Sequence, residues 1–450
     1  MPTHKDLLQA HRLMTQRAAL ALISGEPDSP NQPLRRLNAA TVSGLLVAAI
    51  AAAVFVVLGL ISPGGAATGL TRPGTLTVDT ASATAYVPCD NGQLCPALNY
   101  ASALLALDSA SVRRVSVSPA TLAHYALGPT IGVAGLPQDL PVAKNLVITP
   151  WAVCATPAGA TLVGGRSVGG TALGSGSAAL ATTGQGDVWV LWNGQRLAIE
   201  PSVAQTLFPA MQVQTVPPAW LNAVPEGPPF TAPHIPGQGT EVTGPLGLAL
   251  VGQVFGQMGS GGAVAQYYVL LADGKLAHLT ATQAQLLTRE PEAPAARPIS
   301  PSQATADLSG TTIPRGGLPT TVPSVTPPQP ALCVTYGSAL QRHIVTGATV
   351  PAGATPTHRT SAASLTRIWL PPAHGALLGA APGPTKAGVT TYFLLTAATR
   401  YALPAQSVAG VLGYTLKSQS AVLPAAILDQ IPAGPPLSPT AAAKAASDQG

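Results

Sequence analysis

Four cysteines, Cys89, Cys95, Cys154 and Cys333, are the residues of this chain best suited to covalent or metal chemistry. Four thiols allow three disulfide pairings. Cys89 and Cys95 flank Asn91-Gly92, a tight-turn dipeptide that folds one strand back on the next. The favoured pairing is therefore Cys89–Cys95 with Cys154–Cys333. Zinc is the competing reading, but Cys-x5-Cys with two remote cysteines is poor zinc spacing. Gly165-Arg166-Ser167-Val168-Gly169 has the GxSxG form of a nucleophile elbow. That motif needs a strand before the serine and a helix after it, and here glycine-rich sequence follows. Gly383-Pro384-Thr385-Lys386 echoes a phosphate loop without its GxxxxGK[ST] spacing. The eight histidines, His124, His234, His278 and His374 among them, form no HExxH or close metal cluster and are expected at surfaces or interfaces. The 17 acidic residues include no pair that points to acid–base work. The sequence thus predicts no catalytic residue, metal or cofactor, and its only candidate site residues are the disulfide cysteines.

The element that sets their environment lies upstream. Residues 39–61, AATVSGLLVAAIAAAVFVVLGLI, carry no charge, and the nearest charges are Arg36 and Arg72. About 20 apolar residues suffice to cross the hydrocarbon core as a helix. Lys5, Arg12, Arg17, Arg35 and Arg36 all precede the stretch, so the positive-inside rule puts the N-terminus in the cytoplasm. The cysteines then lie on the oxidising side, where disulfides form. A cleaved secretory signal is the rival reading, with Ala66-Ala67 as its cleavage site. Signal peptides, however, have a short basic start and an apolar core of about 7–15 residues.

The composition suits folded, turn-rich units: charged residues are 9%, while Gly and Pro number 46 each. This excludes a coiled coil, and no Lys/Arg-rich run marks a nucleic-acid footprint. Residues 1–38 are read as a cytosolic basic region whose helix over 3–23 is capped by Thr3 and Asp6 and stopped by Gly25 and Pro27. Its apolar stripe, Leu7, Met14, Ala18 and Leu22, suits anionic lipid or a cytoplasmic partner equally. Residues 62–75 read as a tether. Beyond it a strand–turn–strand–helix pattern recurs from Val188, Tyr268 and Phe393, and more weakly from Ala85. The turns fall at Asn193-Gly194, Asp273-Gly274, Ala398-Thr399 and Asn91-Gly92. One such unit cannot bury its own apolar face, and several packed together can.

The expected layout is a single-pass membrane protein whose large α+β outer region holds four small ββα repeat domains around a central β-rich domain. The repeats fall at 76–125, 187–232, 245–290 and 388–438, and the central domain at 126–165 and 331–385. Gly164 to Gly186 reads as a mobile loop, 291–330 as a Pro-rich linker and 439–450 as a frayed tail. Val224-Pro225-Glu226-Gly227-Pro228-Pro229 and Ile431-Pro432-Ala433-Gly434-Pro435-Pro436 read as rigid, extended exits. Trp151, three residues before Cys154, is expected to pack on the Cys154–Cys333 disulfide.

Several stretches together resemble the EccB family, membrane-anchored core components of the type VII (ESX) secretion system of actinobacteria. They are His11-Arg12-Leu13-Met14 with Arg17 and Pro33-Leu34-Arg35; Ala85-Tyr86-Val87; Cys95-Pro96-Ala97-Leu98-Asn99-Tyr100-Ala101-Ser102-Ala103; Gly128-Pro129-Thr130-Ile131-Gly132-Val133-Ala134-Gly135-Leu136-Pro137; Trp151-Ala152-Val153-Cys154; and Leu332-Cys333-Val334. The resemblance implies four repeat domains around a central one held by Cys154–Cys333. It also implies an inner-membrane location, self-association as dimers within a hexameric complex, and assembly with an EccC-type motor ATPase and EccD- and EccE-type subunits. It transfers no active site. Some family members carry an ATPase label, which no nucleotide-binding motif supports in this chain. A structural secretion component is the leading expectation; an ATP-hydrolysing subunit and a peptidoglycan-binding membrane protein are the alternatives.

Overall fold

The computed structural model describes residues 3–25, 33–61, 69–210, 212–259, 262–337, 340–358, 361–383, 388–389 and 391–446. The chain divides into two compact units, 1–69 and 70–450.

In the first unit, α1 spans His4–Ser24. The Thr3 N–H and hydroxyl both donate to the Asp6 carboxylate, at 2.9 and 2.6 Å, and so satisfy the helix start. Gly25, at φ 70°, ends the helix in the left-handed conformation. Helix α2 spans Pro33–Ile61. It begins earlier than the apolar run, on a proline suited to a first helical position. Its segment Ala39–Val57 is long and apolar enough to cross a membrane.

Residues 70–450 hold four sheets that share one strand order, and each with its helices is called the first to the fourth unit in chain order. In space they run Leu94–Pro96, Ala85–Pro88, Thr75–Asp79, Arg113–Val117; Gln195–Ala198, Trp189–Trp192, Ser177–Thr182, Val213–Thr215; Leu276–Leu279, Val264–Leu270, Val254–Met258, Arg297–Ile299; and Thr399–Leu403, Tyr392–Thr396, Ala376–Ala381, Ser420–Pro424. In each, the first three strands form an antiparallel meander. A short helix then crosses over, and the last strand lies parallel to the first. The crossover helices are Tyr100–Leu107, Pro201–Leu207, Ala281–Leu287 and Ser407–Val411. A second short helix follows: Pro119–Leu122, Pro218–Ala223, Pro301–Ala306 and Ala425–Leu428. The exit then makes one parallel bridge to the third strand, at Leu94–Leu127, Arg196–Glu226, Leu276–Leu308 and Arg400–Ala433. That bridge covers an edge otherwise open to pairing with other chains. The two Pro-rich exits are these edge covers in the second and fourth units.

Each unit is therefore βββαβα, where sequence patterning gives ββα. The hairpin and helix are local and legible. The last strand reaches its partner, the first, only through the parallel crossover, which no local pattern marks. The spans 187–232 and 388–438 accordingly lack their first strands, Ser177–Thr182 and Ala376–Ala381, and 245–290 lacks its last, Arg297–Ile299. Three expectations are corrected with them. The stretch 164–186 contains Thr171–Ala172 and Ser177–Thr182, both in sheets, with Ala178 and Ala181 fully buried. The stretch 291–330 holds Arg297–Ile299, a helix capped by Ser300 and Gln303, and Ser324–Val325 paired to Ser177-Ala178. In the tail, Pro439–Ala442 is helical, Ala442 is fully buried, and Ala446 N–H donates to Thr130 at 2.8 Å. Of the expected tether, 62–68 lie outside the described residues, and Leu70 is already fully buried.

The fourth hairpin turns at Ala397-Ala398, because Thr396 pairs with Thr399, and not at Ala398-Thr399. Both alanines take positive φ, 47° and 62°, where the second unit has Asn193-Gly194. Left-handed geometry costs a Cβ-bearing residue about 1–2 kcal/mol, less for Asn. Ala397 is exposed, so Ala397→Asn is expected to raise stability by about 0.5–1 kcal/mol in urea titration. An unchanged midpoint would show that the turn carries no such penalty.

The central sheet runs Thr355–Pro356, Arg367–Trp369, Gly159–Gly164, Trp151–Thr156, Leu332–Tyr336, Arg342–Thr346, Thr171–Ala172. One face, with Trp151, Val153, Leu162, Leu332 and Val334, shares a core with Trp220 and Leu191 of the second unit and Leu378, Leu423 and Ile427 of the fourth. A second core joins the first and fourth units through Leu76, Leu104, Leu377, Tyr401 and Leu437. Leu286 of the third unit enters the core of the second.

Candidate functional site

Cys154, Cys333 and the serine of the GxSxG stretch lie on the other face of the central sheet. Cys154 and Cys333 sit opposite each other on neighbouring antiparallel strands, Cα atoms 4.0 Å apart, and are joined through sulfur at 2.08 Å. Both are fully buried. Cys89 and Cys95 are joined around the Asp90-Asn91-Gly92 turn, Cα atoms 5.8 Å apart. Trp151 does not pack on the Cys154 disulfide. Side chains alternate along a strand, so residues three apart face opposite ways. Trp151 lies in the core shared with the second and fourth units, and Trp369 is the tryptophan on the disulfide face.

Also on that face is an open cleft of about 380 Å³, walled by the loop 165–170 and floored by Ala152, Thr335, His343 and Val345. The GxSxG serine lies here, but its hydroxyl accepts the Gly169 N–H at 3.3 Å within a local turn, and no helix follows. Of the phosphate-loop echo, Pro384, Thr385 and Lys386 lie outside the described residues. His124, His234 and His278 are exposed; His278 also stacks on Tyr268 at 4.9 Å. The His374 ring lies 2.8 Å from the Pro372 carbonyl. No three of His, Cys, Asp or Glu among the described residues could hold a metal.

Sequence reasoning missed a matched pair of arginines. Arg196 and Arg400 occupy the same place in the second and fourth units, two residues past the turn. Each lies 4.8 Å over the ring of its neighbouring strand, Trp189 and Phe393. Each pairs with a carboxylate near the exit, Glu226 at 3.2 Å and Asp429 at 3.3 Å, and each donates to a carbonyl there, Leu221 and Ile431. These contacts clamp the exit onto the third strand. Placing the fourth turn one residue late hides the equivalence.

Asp187 gathers the turn before Trp189. It accepts from Trp189 Nε1 at 2.7 Å, from the Thr183 N–H and hydroxyl, and from the Thr182 hydroxyl. Burial pushes its carboxyl up, but these donors outweigh it, and the net shift is downward. A carboxyl whose folded pKa is depressed contributes stability above its unfolded value, and that stability is lost as pH falls through the folded one. Asp187→Asn is thus expected to flatten the acid limb of a stability–pH curve below about pH 4. A limb of unchanged slope would refute the assignment.

The sequence profile described as "Type VII secretion system ESX-1, transport TM domain B" matches residues 1–449. Over 256 residues the chain is 34% identical to the Mycobacterium tuberculosis protein named ESX-2 secretion system ATPase EccB2, covering 53% of this chain and 50% of that one. Over 290 residues it is 29% identical to the M. tuberculosis ESX-3 secretion system ATPase EccB3, covering 58% and 52%. The chain thus spans about half the length of the curated relatives it matches. Its fold is shared with a chain of an intact ESX-5 inner membrane complex, TM-score 0.66 at 22% identity, covering 98% of this chain and 95% of that one. It is shared also with a chain of the EccB3 dimer from the ESX-3 core complex, TM-score 0.64 at 23% identity, covering 82% and 99%. With the profile extending over nearly every residue, the chain belongs to the EccB family of the type VII secretion system.

Proposed function

We propose that this protein is a structural membrane component of a type VII (ESX) secretion machine. Helix α2 crosses the inner membrane with the N-terminus in the cytoplasm and residues 70–450 in the periplasm. Helix α1 docks on the inner side, and each four-stranded sheet with its helices acts as one repeat domain around the central sheet. The outer surfaces associate with further copies, as dimers within a hexameric complex, and the assembly carries an EccC-type motor ATPase and EccD- and EccE-type subunits. The observation that carries this reading is the family match over residues 1–449 on a chain with one membrane-crossing candidate among its described residues. Relatives bear the name ATPase. This reading assigns the chain no hydrolysis of its own, since it contains no GxxxxGK[ST] loop.

Mild-detergent capture of the tagged protein from its native membrane is expected to recover a large particle containing a motor ATPase and polytopic subunits. Recovery of the chain alone, even after crosslinking, would overturn the reading. ATP turnover by the isolated chain would shift it to the hydrolase alternative.

A further inference from the structure

The cleft on the disulfide face is built in advance of any ligand. Its wall, the loop 165–170, is pinned at both ends. Gly165 N–H donates to Pro150 at 2.8 Å, and Thr349 N–H donates to Val168 at 2.8 Å, with Val168 only 3% exposed. Gly170, at φ 89°, lies so close to the sheet that a Cβ would meet the Thr346 carbonyl at 2.7 Å. Arg166 lies 5.9 Å over Trp369, which orients its guanidinium. Among the described residues only Arg196 and Arg400 pair with carboxylates, so Arg166 has none. No Asp or Glu lines the cleft; Ser167, Thr335, Gln341 and His343 do. An oriented guanidinium with no counter-charge in its cleft matches a carboxylate in bidentate geometry. Ala172 lines the cleft, and its strand, Thr171–Ala172, is the last of the central sheet, so one side of its backbone has no strand neighbour. Such an edge accepts an added extended chain.

We propose that this cleft captures the C-terminus of an extended peptide. The peptide main chain adds to the Thr171–Ala172 edge, its carboxylate sits on Arg166, and Ser167, Gln341 and His343 hydrogen-bond around it. This goes beyond the scaffold reading and does not depend on it.

The test uses the full chain in lipid nanodiscs and an N-terminally fluorescein-labelled L-pentapeptide, Gly-Ser-Val-Thr-Ala, read by fluorescence anisotropy. The free acid is expected to bind, and the same peptide as its carboxamide to bind at least tenfold more weakly. Arg166→Gln should lose at least tenfold, Arg166→Lys less, and Arg114→Gln, on the first sheet, nothing. Thermal unfolding of Arg166→Gln should match the unsubstituted chain, which separates lost binding from lost folding. Equal affinity for acid and amide, or full affinity in Arg166→Gln, would overturn the proposal. Binding confined to a labelled peptide ending in D-Ala-D-Ala would also overturn it and point to cell-wall stem peptides.

Discussion

Trp220→Ala is expected to cost about 3–5 kcal/mol, the usual range for emptying a fully buried tryptophan site. Trp220 is 0% exposed, and its indole N–H donates to the Val153 carbonyl of the central sheet at 2.9 Å. It stands in a core that draws on the central sheet and on the second and fourth units at once. Truncation leaves a cavity shared by all three and removes the indole hydrogen bond to an interior carbonyl, and both losses act in the same direction. Urea unfolding followed by near-ultraviolet circular dichroism measures the effect. Trp192→Ala is the comparison. That ring lies nearer the surface and donates to Ser175, so its loss should be a fraction as large. Equal losses at the two sites would show that the shared core does not hold the units together.

The second large effect is the unequal worth of the two disulfides. Cys154–Cys333 closes 179 residues and Cys89–Cys95 closes six. In the chain-entropy treatment the first restrains the unfolded chain by about 5 kcal/mol and the second by about 2 kcal/mol, both upper figures. Replacing each pair by alanine should therefore give a clearly larger drop for the central pair. The strand pairing around Cys154 and Cys333 is continuous on both sides, so the double variant keeps its register and loses stability without losing the fold. Thermal unfolding of the two double-alanine variants, side by side, decides the order. A larger loss from the Cys89–Cys95 pair would contradict an unfolded-state origin.

What could be read from the sequence was local. The charge-free run 39–61, the Thr3–Asp6 cap, the Asn-Gly hairpins and the helices after them are each set by residues within a few positions of one another. What could not be read depended on remote partners. Ser177–Thr182 has the sequence SAALAT, which looks like loop composition. It is a strand because the hairpin and the returning chain at Val213–Thr215 close on it from both sides. Arg297–Ile299 hides in a Pro-rich run for the same reason: a parallel partner, Phe255 to Gln257, lies some forty residues back. The misplacement of Trp151 was different in kind. The spacing was available, and alternation along a strand would have put it opposite Cys154. The cleft was half legible: GxSxG drew notice to Ser167, while Thr335, Gln341 and His343, which line the same cleft, arrive from the far half of the chain.

The segment that follows the last sheet bears on how the molecule is made. Its helix, Pro439–Ala442, packs against the helix Tyr100–Leu107 of the first unit, and Leu437 and Ala442 belong to the same core as Leu76 and Leu104. The earliest part of residues 70–450 to be synthesised thus completes its interior only when the last of these elements arrives. A chain emerging N-terminus first must hold an unfinished first unit open for most of its synthesis, with apolar surface exposed the whole time. Such long-range closure makes folding slow, and it makes the first unit, not the last, the place where assembly waits.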